Sequence, residues 1–286
     1  MYEHIVAGTD LSDTARIATA RAALLASSLD AKLTLLCAGP DPGEPLRALG
    51  EEFGADAISV HGHPAEVLVA EVESLGADLL VVGSVGMSGA RRFMLGNVPN
   101  KVSHHVGKDL LIVKTDRGPR SSSQYRKILA GTDGSDTAMR AVDAACALAS
   151  KLSALPVVAC VYEPPSEAEL NAMRAGEGDA LSQWSASRDV RDTPDEFRWR
   201  IAGASQAEDV LDRALVRAER QGVQAETRAI RGRAAEALLE VADSEEFDLM
   251  VVGSVGMTGT RRFTLGNVPH RISHHAPVDV LIVHTA

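Results

Sequence analysis

The strongest constraint on this chain is that it repeats itself. Residues 2–10 read Tyr-Glu-His-Ile-Val-Ala-Gly-Thr-Asp, and 125–133 read Tyr-Arg-Lys-Ile-Leu-Ala-Gly-Thr-Asp. A longer stretch, 81–99, returns with three changes at 251–269. The first pair is separated by 123 residues and the second by 170, so the second copy is 47 residues longer in its middle. Repetition over this length predicts two copies of one domain.

The length and composition agree with two domains. A chain of 286 residues can bury two separate cores. We predict one domain at 1–117 and another at 124–286, joined by a polar linker with Gly, Pro and Ser. Only 3% of residues are aromatic although 45% are hydrophobic. Cores must therefore be built from Val, Leu, Ile and Ala, as is usual in parallel sheets covered on both faces.

Short apolar runs alternate with amphipathic segments along both copies. The runs predict strands at 5–7, 33–38, 57–60, 78–82 and 110–113, and again at 128–131, 157–161, 224–229, 249–252 and 280–283. Helices are predicted at 12–29 with Ser12 as N-cap, at 64–75, and at 206–221. This alternation predicts an α/β fold of two tandem, open, five-stranded parallel sheets of Rossmann-like type.

Charge and cysteine content exclude several classes of protein. The formal net charge of −10 argues against a nucleic-acid binder, which normally carries a basic stripe. The three cysteines form no CxxC pair, which favours a reducing compartment. The N-terminus has no signal-peptide pattern, and no apolar run reaches membrane-spanning length. We therefore predict a cytoplasmic protein without nucleic-acid or membrane partners.

A glycine-rich loop is the best-preserved part of the repeat. Gly83 and Gly86 follow the fourth strand, and Gly96-Asn97 precede a helix for which Asn97 is the predicted N-cap. Glycines let a phosphate approach backbone N–H groups, and a helix N-terminus attracts anions. Arg91 and Arg92 within the loop could neutralise phosphate charge. The alternative is that the glycines only form a tight turn.

Known catalytic and metal patterns are absent from the sequence. There is no GxxxxGK[ST] loop, no GxGxxG after the first strand and no GxSxG elbow. The pairs His104-His105 and His274-His275 are adjacent, so each pair points in different directions on a helix and chelates poorly. We predict no catalytic residue and no metal ligand.

The spacing Gly-x2-Gly-x9-Gly followed by a small polar residue resembles the ATP-binding signature of the universal stress protein family. The resemblance covers nearly the whole chain twice, from the opening strand that ends in Thr-Asp to the last apolar strand of each copy. The chain resembles the tandem members found in actinobacteria. It implies the fold shared by universal stress proteins and adenine nucleotide alpha hydrolases, and ATP as ligand, with or without Mg²⁺.

The resemblance also implies which positions bind the nucleotide. The aspartate after strand one would contact the nucleoside, the backbone at the end of strand two would hold adenine, and the glycine loop would hold the phosphates. The matching residues are Thr9, Asp10, Ala38, Gly83, Gly86, Arg91, Arg92, Gly96, Asn97 and Val98 in the first copy, and Thr132, Asp133, Val161, Gly253, Gly256, Arg261, Arg262, Gly266, Asn267 and Val268 in the second.

Two features depart from the family pattern. Asn97 and Asn267 stand where Ser or Thr is usual, although an asparagine amide can also donate to a phosphate. The first copy has only residues 39–55 where family domains place a long loop and helix between strands two and three. This shortening predicts a more open and weaker first site.

Three functions fit these features. The leading one is an ATP-binding regulator in the stress response, whose nucleotide state controls conformation or binding to an unidentified protein partner. The alternatives are a slow ATPase or phosphotransferase and a nucleotide-free interaction scaffold. For the scaffold, the long segment 163–203 with Trp184 and Trp199 would be the contact surface. The resemblance further implies that the fifth strands of the two copies pair within one chain, and it leaves a homodimer open.

Overall fold

The computed structural model describes residues 1–85, 95–115, 124–163, 195–256 and 265–284, with only the backbone at 195–205. Three predicted features lie wholly or largely outside the described residues. They are the linker between the domains, most of the segment 163–203 and the middle of each glycine loop. No helix in these ranges is both long enough and apolar enough to cross a membrane.

The described chain contains ten strands and eight helices, which alternate within 4–113 and again within 127–283. The strands are β1 His4–Thr9, β2 Lys32–Ala38, β3 Asp56–Val60, β4 Leu79–Gly83, β5 Asp109–Val113, β6 Lys127–Thr132, β7 Leu155–Tyr162, β8 Glu226–Arg231, β9 Leu249–Gly253 and β10 Asp279–Val283. The helices are α1 Asp13–Leu29, α2 Glu44–Phe53, α3 Pro64–Ser74, α4 Asn97–His105, α5 Asp136–Leu152, α6 Asp195–Arg220, α7 Ala234–Ser244 and α8 Asn267–His275.

The strands form one sheet in the order β3-β2-β1-β4-β5-β10-β9-β6-β7-β8. Every pair is parallel except β5 with β10, which is antiparallel. The predicted pairing of the fifth strands is therefore confirmed. We call β1–β5 with α1–α4 the first half and the remainder the second half. Because the halves run in opposite directions, their carboxyl edges lie at opposite edges of the sheet.

Helices cover both faces of the sheet, which explains the continuous apolar strands. In β1, Ile5 and Ala7 face a core that also receives α1, α2, α5 and α6. Val6 faces the other core, which is shared with α3, α4, α7 and α8. All three side chains are completely buried. The predicted α/β class and parallel halves are confirmed.

Local signals placed most helix ends correctly. Ser12 is the N-cap of α1, where its Oγ accepts from Ala15 N at 3.2 Å. Ser135 caps α5 in the same way. One prediction about the middle segments is wrong, because α6 begins at Asp195 rather than near 206. The first half also contains a helix, α2, within 39–55, which the sequence analysis did not assign.

The physical reasons for these two differences are local. Leu46 and Leu49 of α2 are buried in the core, so tertiary packing stabilises a helix that the glycines at 43, 50 and 54 obscure in the sequence. The residues added to the start of α6 include Gly203 and Ser205, which the sequence pattern counted as loop residues.

Candidate functional site

The predicted site residues that the structure describes lie where the strand order reverses. The chain passes from β1 outward to β2 and β3 and then returns across β1 to β4. The crevice between the carboxyl ends of β1 and β4 is therefore a topological switch point, where open α/β sheets bind ligands. Asp10 follows β1, and Gly83 is the last residue of β4, so the crevice lies between them. Asp133 and Gly253 flank the equivalent crevice of the second half.

The Thr-Asp pair forms a rigid turn into the following helix. Thr9 Oγ1 accepts from Leu11 N at 3.1 Å, and Asp10 Oδ1 accepts from Ser12 N at 3.1 Å. The second half repeats both contacts through Thr132 and Asp133, at 3.1 and 3.0 Å. These bonds fix each carboxylate at the mouth of the crevice.

The two ends of each glycine loop are tied together at their base. Ser84 N donates to Val113 O at 2.8 Å, which extends the β4–β5 ladder by one residue. Gly96 N then donates to Ser84 O at 2.8 Å, and Gly266 N does the same to Ser254 O. The loop therefore leaves and re-enters the fold at one point, directly before α4 or α8.

The helix after the loop begins one residue earlier than predicted. Gly96 and Gly266 are the N-caps, without a side-chain capping bond, and Asn97 and Asn267 are the first helical residues. The predicted asparagine caps are therefore wrong. The backbone of Gly96, at φ −64° and ψ 164°, already has the extended N-cap conformation, so Asn97 is left in the helix with an exposed side chain.

This helix start offers two N–H groups to an anion. The N–H groups of the first turn have no acceptor within the helix. Gly96 N is bonded to Ser84, and Pro99 has no N–H, which leaves those of Asn97 and Val98. Val98 packs its side chain against the core, so the direction of its backbone N–H is fixed.

Two glycines of the second loop differ in how closely other atoms surround them. A Cβ on Gly253 would lie 2.9 Å from Thr137 Cγ2 and 3.1 Å from Ala138 N, so a side chain there would displace the start of α5. A Cβ on Gly266 would lie no closer than 3.5 Å to any neighbouring atom. Packing therefore explains Gly253, whereas it does not explain Gly266.

In the second half the structure brings the aspartate and the glycine loop into contact. A Cβ on Gly256 would lie 2.7 Å from Asp133 Oδ2. The loop backbone therefore lies against the carboxylate that the sequence assigned to the same site. The equivalent Gly86 lies outside the described residues, as do Arg91, Arg92, Arg261 and Arg262.

The predicted adenine wall lies beside the aspartates. Thr9 is in register with Cys37 on β2, and Thr132 with Cys160 on β7, one residue before Ala38 and Val161 respectively. Burial, then the nearby Asp133, raises the pKa of Cys160 to about 11. Burial also raises the pKa of Cys37, with Asp10 as the second cause. These thiols therefore stay protonated at neutral pH and act as small apolar wall residues.

The two crevices differ at one position next to the aspartate. Gly134 of the second half has φ +82°, and a Cβ there would lie 2.8 Å from Arg213 Nη2 and 2.9 Å from Val210 Cγ2. Helix α6 therefore lies against this turn. In the first half the same position is Leu11, at φ 62°, and its own half-buried side chain packs against the core.

Comparison with known proteins now decides the family. The model of the universal stress protein family matches residues 47–114 and 124–284. The chain belongs to the universal stress protein family. A universal stress protein of Mycobacterium tuberculosis is 37% identical over 164 residues, which is 57% of this chain and 99% of that protein. This universal stress protein is thus a tandem member, with two family domains in one chain.

A solved structure of the family shares the fold over nearly the whole chain. A universal stress protein from Archaeoglobus fulgidus superposes with a TM-score of 0.61 at 17% identity, over 99% of this chain and 96% of that one. Another universal stress protein, solved in complex with cAMP, is 34% identical, covers 57% of this chain and 100% of its own, and has a TM-score of 0.40.

Sequence reasoning missed three residues that contribute to the site. Ser84 and Ser254 are buried behind the loop, and Ser84 Oγ accepts from Thr115 N at 3.2 Å. Their identity in both copies was a signal, although serine is also common in turns. Arg213 gave no signal, because its approach to Gly134 joins residues 79 positions apart.

Proposed function

We propose that this universal stress protein binds ATP in both crevices and acts as a nucleotide-dependent regulator in the stress response. The observation that carries the proposal is the contact between Gly256 and the carboxylate of Asp133. Asp133 could accept from the ribose hydroxyls, and the backbone at Gly256 leaves room for phosphates. Both lie at one topological switch point, next to a helix N-terminus.

Groups along the crevice could bind the adenine, the ribose and the phosphates of a nucleotide in turn. Backbone groups at Ala38 and Val161 would hold the adenine, and Asp10 and Asp133 would accept from the ribose. The N–H groups of Asn97 and Val98, with their counterparts Asn267 and Val268, would hold phosphate oxygens. The exposed side-chain amides of Asn97 and Asn267 would add an N–H donor beside these backbone groups.

The two sites are expected to differ in affinity. Helix α6 places Val210 and the cationic Arg213 over the turn of the second site. In the first half the helix between β2 and β3 is the shorter α2, and Leu11 stands at the position of Gly134. We therefore propose that the second site binds ATP more tightly. The predicted cytoplasmic location, homodimer and protein partner stay predictions, and so does Mg²⁺.

Calorimetric titration of the full chain with ATP, ADP and AMP tests this proposal. We expect two unequal ATP sites, and weaker binding as phosphates are removed. Gly96→Val and Gly266→Val should each remove one site, because the backbone conformation there accepts a side chain while a ligand would not. Lys101→Ala, an exposed residue later in α4, is the matched control.

Two results would overturn the proposal. One is no ATP binding by the wild-type chain at high micromolar concentration. The other is unchanged binding in the Gly96→Val and Gly266→Val double variant, with its fold verified by circular dichroism. Phosphate release above that of the double variant would instead favour the slow ATPase.

A further inference from the structure

The turn between the third strand and the following helix differs in charge between the halves. In the second half it reads Arg231-Gly232-Arg233, and the same positions of the first half, 170 residues earlier, read His61-Gly62-His63. The side chains that flank both glycines are exposed. Both turns lie at the carboxyl edge of their half, because β3 and β8 run parallel to the strands beside them. The two crevices therefore differ in the charge on this side.

The backbone of the second turn is held by hydrogen bonds at both of its ends. Gly232 N donates to Tyr162 O at 3.0 Å, and Gly232 has φ +150°. Arg233 is the N-cap residue of α7, and its carbonyl accepts from Ala237 N at 2.9 Å. The Arg233 side chain makes no capping bond. The turn therefore fixes the Cα position of Arg233 while its side chain points away from the helix start.

A carboxylate connects this arginine with the helix that follows the glycine loop. Glu236 Oε1 lies 2.8 Å from Arg271 Nη1 on α8 and 3.8 Å from Arg233 Nη1. We call Arg233, Glu236 and Arg271 the arginine bridge. Arg271 follows Asn267 by four residues, so both side chains lie on one face of α8, with Cβ atoms about 5–6 Å apart. The arginine bridge therefore lies beside the face of α8 that carries Asn267, a proposed phosphate contact.

The charges of the arginine bridge suit an anion. Two guanidinium groups share one carboxylate, which leaves one positive charge unbalanced. Arg233 is the member that can turn towards a ligand, because its side chain is 75% exposed and such exposed contacts one helical turn apart are weak. Guanidinium groups bind phosphate oxygens through paired N–H donors.

The first half has no equivalent bridge. Glu66 and Lys101 stand 170 residues before the two helical members of the arginine bridge. Within the described residues these two side chains form no ion pair. His63, at the position of Arg233, has a shorter side chain without a permanent charge. The arrangement is therefore specific to the second crevice.

We propose that Arg233 binds the phosphate chain of the nucleotide in the second site, where Glu236 and Arg271 hold it beside α8. This inference rests on the proposed binding of ATP and adds a residue that determines specificity. It makes the second site more selective than the first for phosphorylated nucleotides over the nucleoside. Adenosine lacks the groups that Arg233 would contact, so its affinity should not depend on this side chain.

Calorimetric titration of the second site alone, in the Gly96→Val chain, tests the role of Arg233. Arg233→Ala should lower the affinity for ATP by about tenfold and leave that for adenosine unchanged. Arg228→Ala is the matched control, because it also removes one exposed guanidinium of this half. Arg228 Nη1 lies 3.1 Å from Glu245 Oε1, beyond the far end of α7, so both affinities should be kept.

A charge reversal separates the effect of charge from a loss of folding. Arg233→Glu places an acidic residue at the start of α7, where the helix dipole favours it, so the fold should be kept. Its affinity for ATP should fall further than that of Arg233→Ala. The ratio of ATP to adenosine affinity should also be higher in the Gly96→Val chain than in the Gly266→Val chain, which keeps only the first site.

Three results would overturn the inference while the proposed ATP binding stands. They are an unchanged ATP affinity in Arg233→Ala, equal losses for ATP and adenosine in that variant, and equal affinity ratios at the two sites. Absence of ATP binding by the wild-type chain would instead overturn both proposals.

Discussion

The phenolic hydroxyl of Tyr125 donates to Asp279 Oδ2 at 2.7 Å, at the junction of the two halves. Asp279 Oδ1 accepts from Lys114 N at 2.8 Å, so the carboxylate at the start of β10 binds the chain just after β5. Tyr2 and Asp109 make the equivalent 2.7 Å contact in the first half. The antiparallel β5–β10 pair is thus held by a carboxylate at each end.

One of these two carboxylates carries a buried ion pair. Arg21 Nε lies 3.1 Å from Asp279 Oδ2, and its guanidinium lies 4.1 Å from the centre of the Tyr125 ring. Burial raises the pKa of Asp279, and Arg21 acts in the opposite direction. We find no such ion pair at Asp109 within the described residues.

Removal of the Asp279 carboxylate should therefore lower the free energy of unfolding more than removal of the Asp109 carboxylate. We predict that Asp279→Ala lowers the free energy of unfolding by about 3–5 kcal/mol, because Arg21 remains buried without its carboxylate. Tyr125→Phe removes one hydrogen bond and should cost about 1 kcal/mol. Urea denaturation of both variants measures this. Equal losses in Asp279→Ala and Asp109→Ala would contradict the role given to Arg21.

The loop glycines give a second prediction about stability. Gly253→Ala should lower the free energy of unfolding by about 1–3 kcal/mol, since the added Cβ would meet Thr137 at the start of α5 at 2.9 Å. Gly266→Ala has room and should stay within about 0.5 kcal/mol of the wild-type chain. Thermal melts without nucleotide compare the two variants. Similar melting temperatures would show that the contact with α5 does not make a glycine necessary at position 253.

The repeat makes much of this fold predictable. The continuous apolar strands and the copied loops indicated both parallel sheets, and the apolar fifth strands agreed with the pairing that the family resemblance implied. What the sequence did not reveal depends on contacts between distant residues. The His104–His270 contact joins residues 166 positions apart, and the N-cap at Gly96 depends on a backbone bond to Ser84. Local patterns carry no information about such contacts.

The turn beside each aspartate gives a third prediction. Each half receives by substitution the residue that the other half has at this position. Gly134→Leu should cost about 1–3 kcal/mol, because the left-handed backbone disfavours a side chain and Val210 and Arg213 fill the space. Leu11→Gly should be near neutral, since relief of roughly 1 kcal/mol of backbone strain offsets lost packing. Urea denaturation tests both, and a tolerated Gly134→Leu would mean that α6 does not confine the second crevice.

The histidines predict how stability depends on pH. The pKa of His274 is lowered to about 4, chiefly by burial, and burial likewise lowers the pKa of His284 to about 4. An unfolded histidine takes up its proton near pH 6.5, whereas these folded ones do so only near 4. The unfolded state therefore binds more protons between these values, and stability should fall as the pH falls from 6.5 towards 4.

Comparison with variants isolates this histidine contribution. Burial raises the pKa of Asp109 and Asp279, and their earlier proton uptake in the folded state acts in the opposite direction at acid pH. We therefore predict that urea midpoints measured from pH 7 to 4.5 fall less steeply in His274→Asn and His284→Asn than in the wild-type chain. His105→Asn, which changes an exposed histidine, should keep the wild-type slope. Identical slopes in all four proteins would rule out both of these half-buried histidines as the source of the pH dependence.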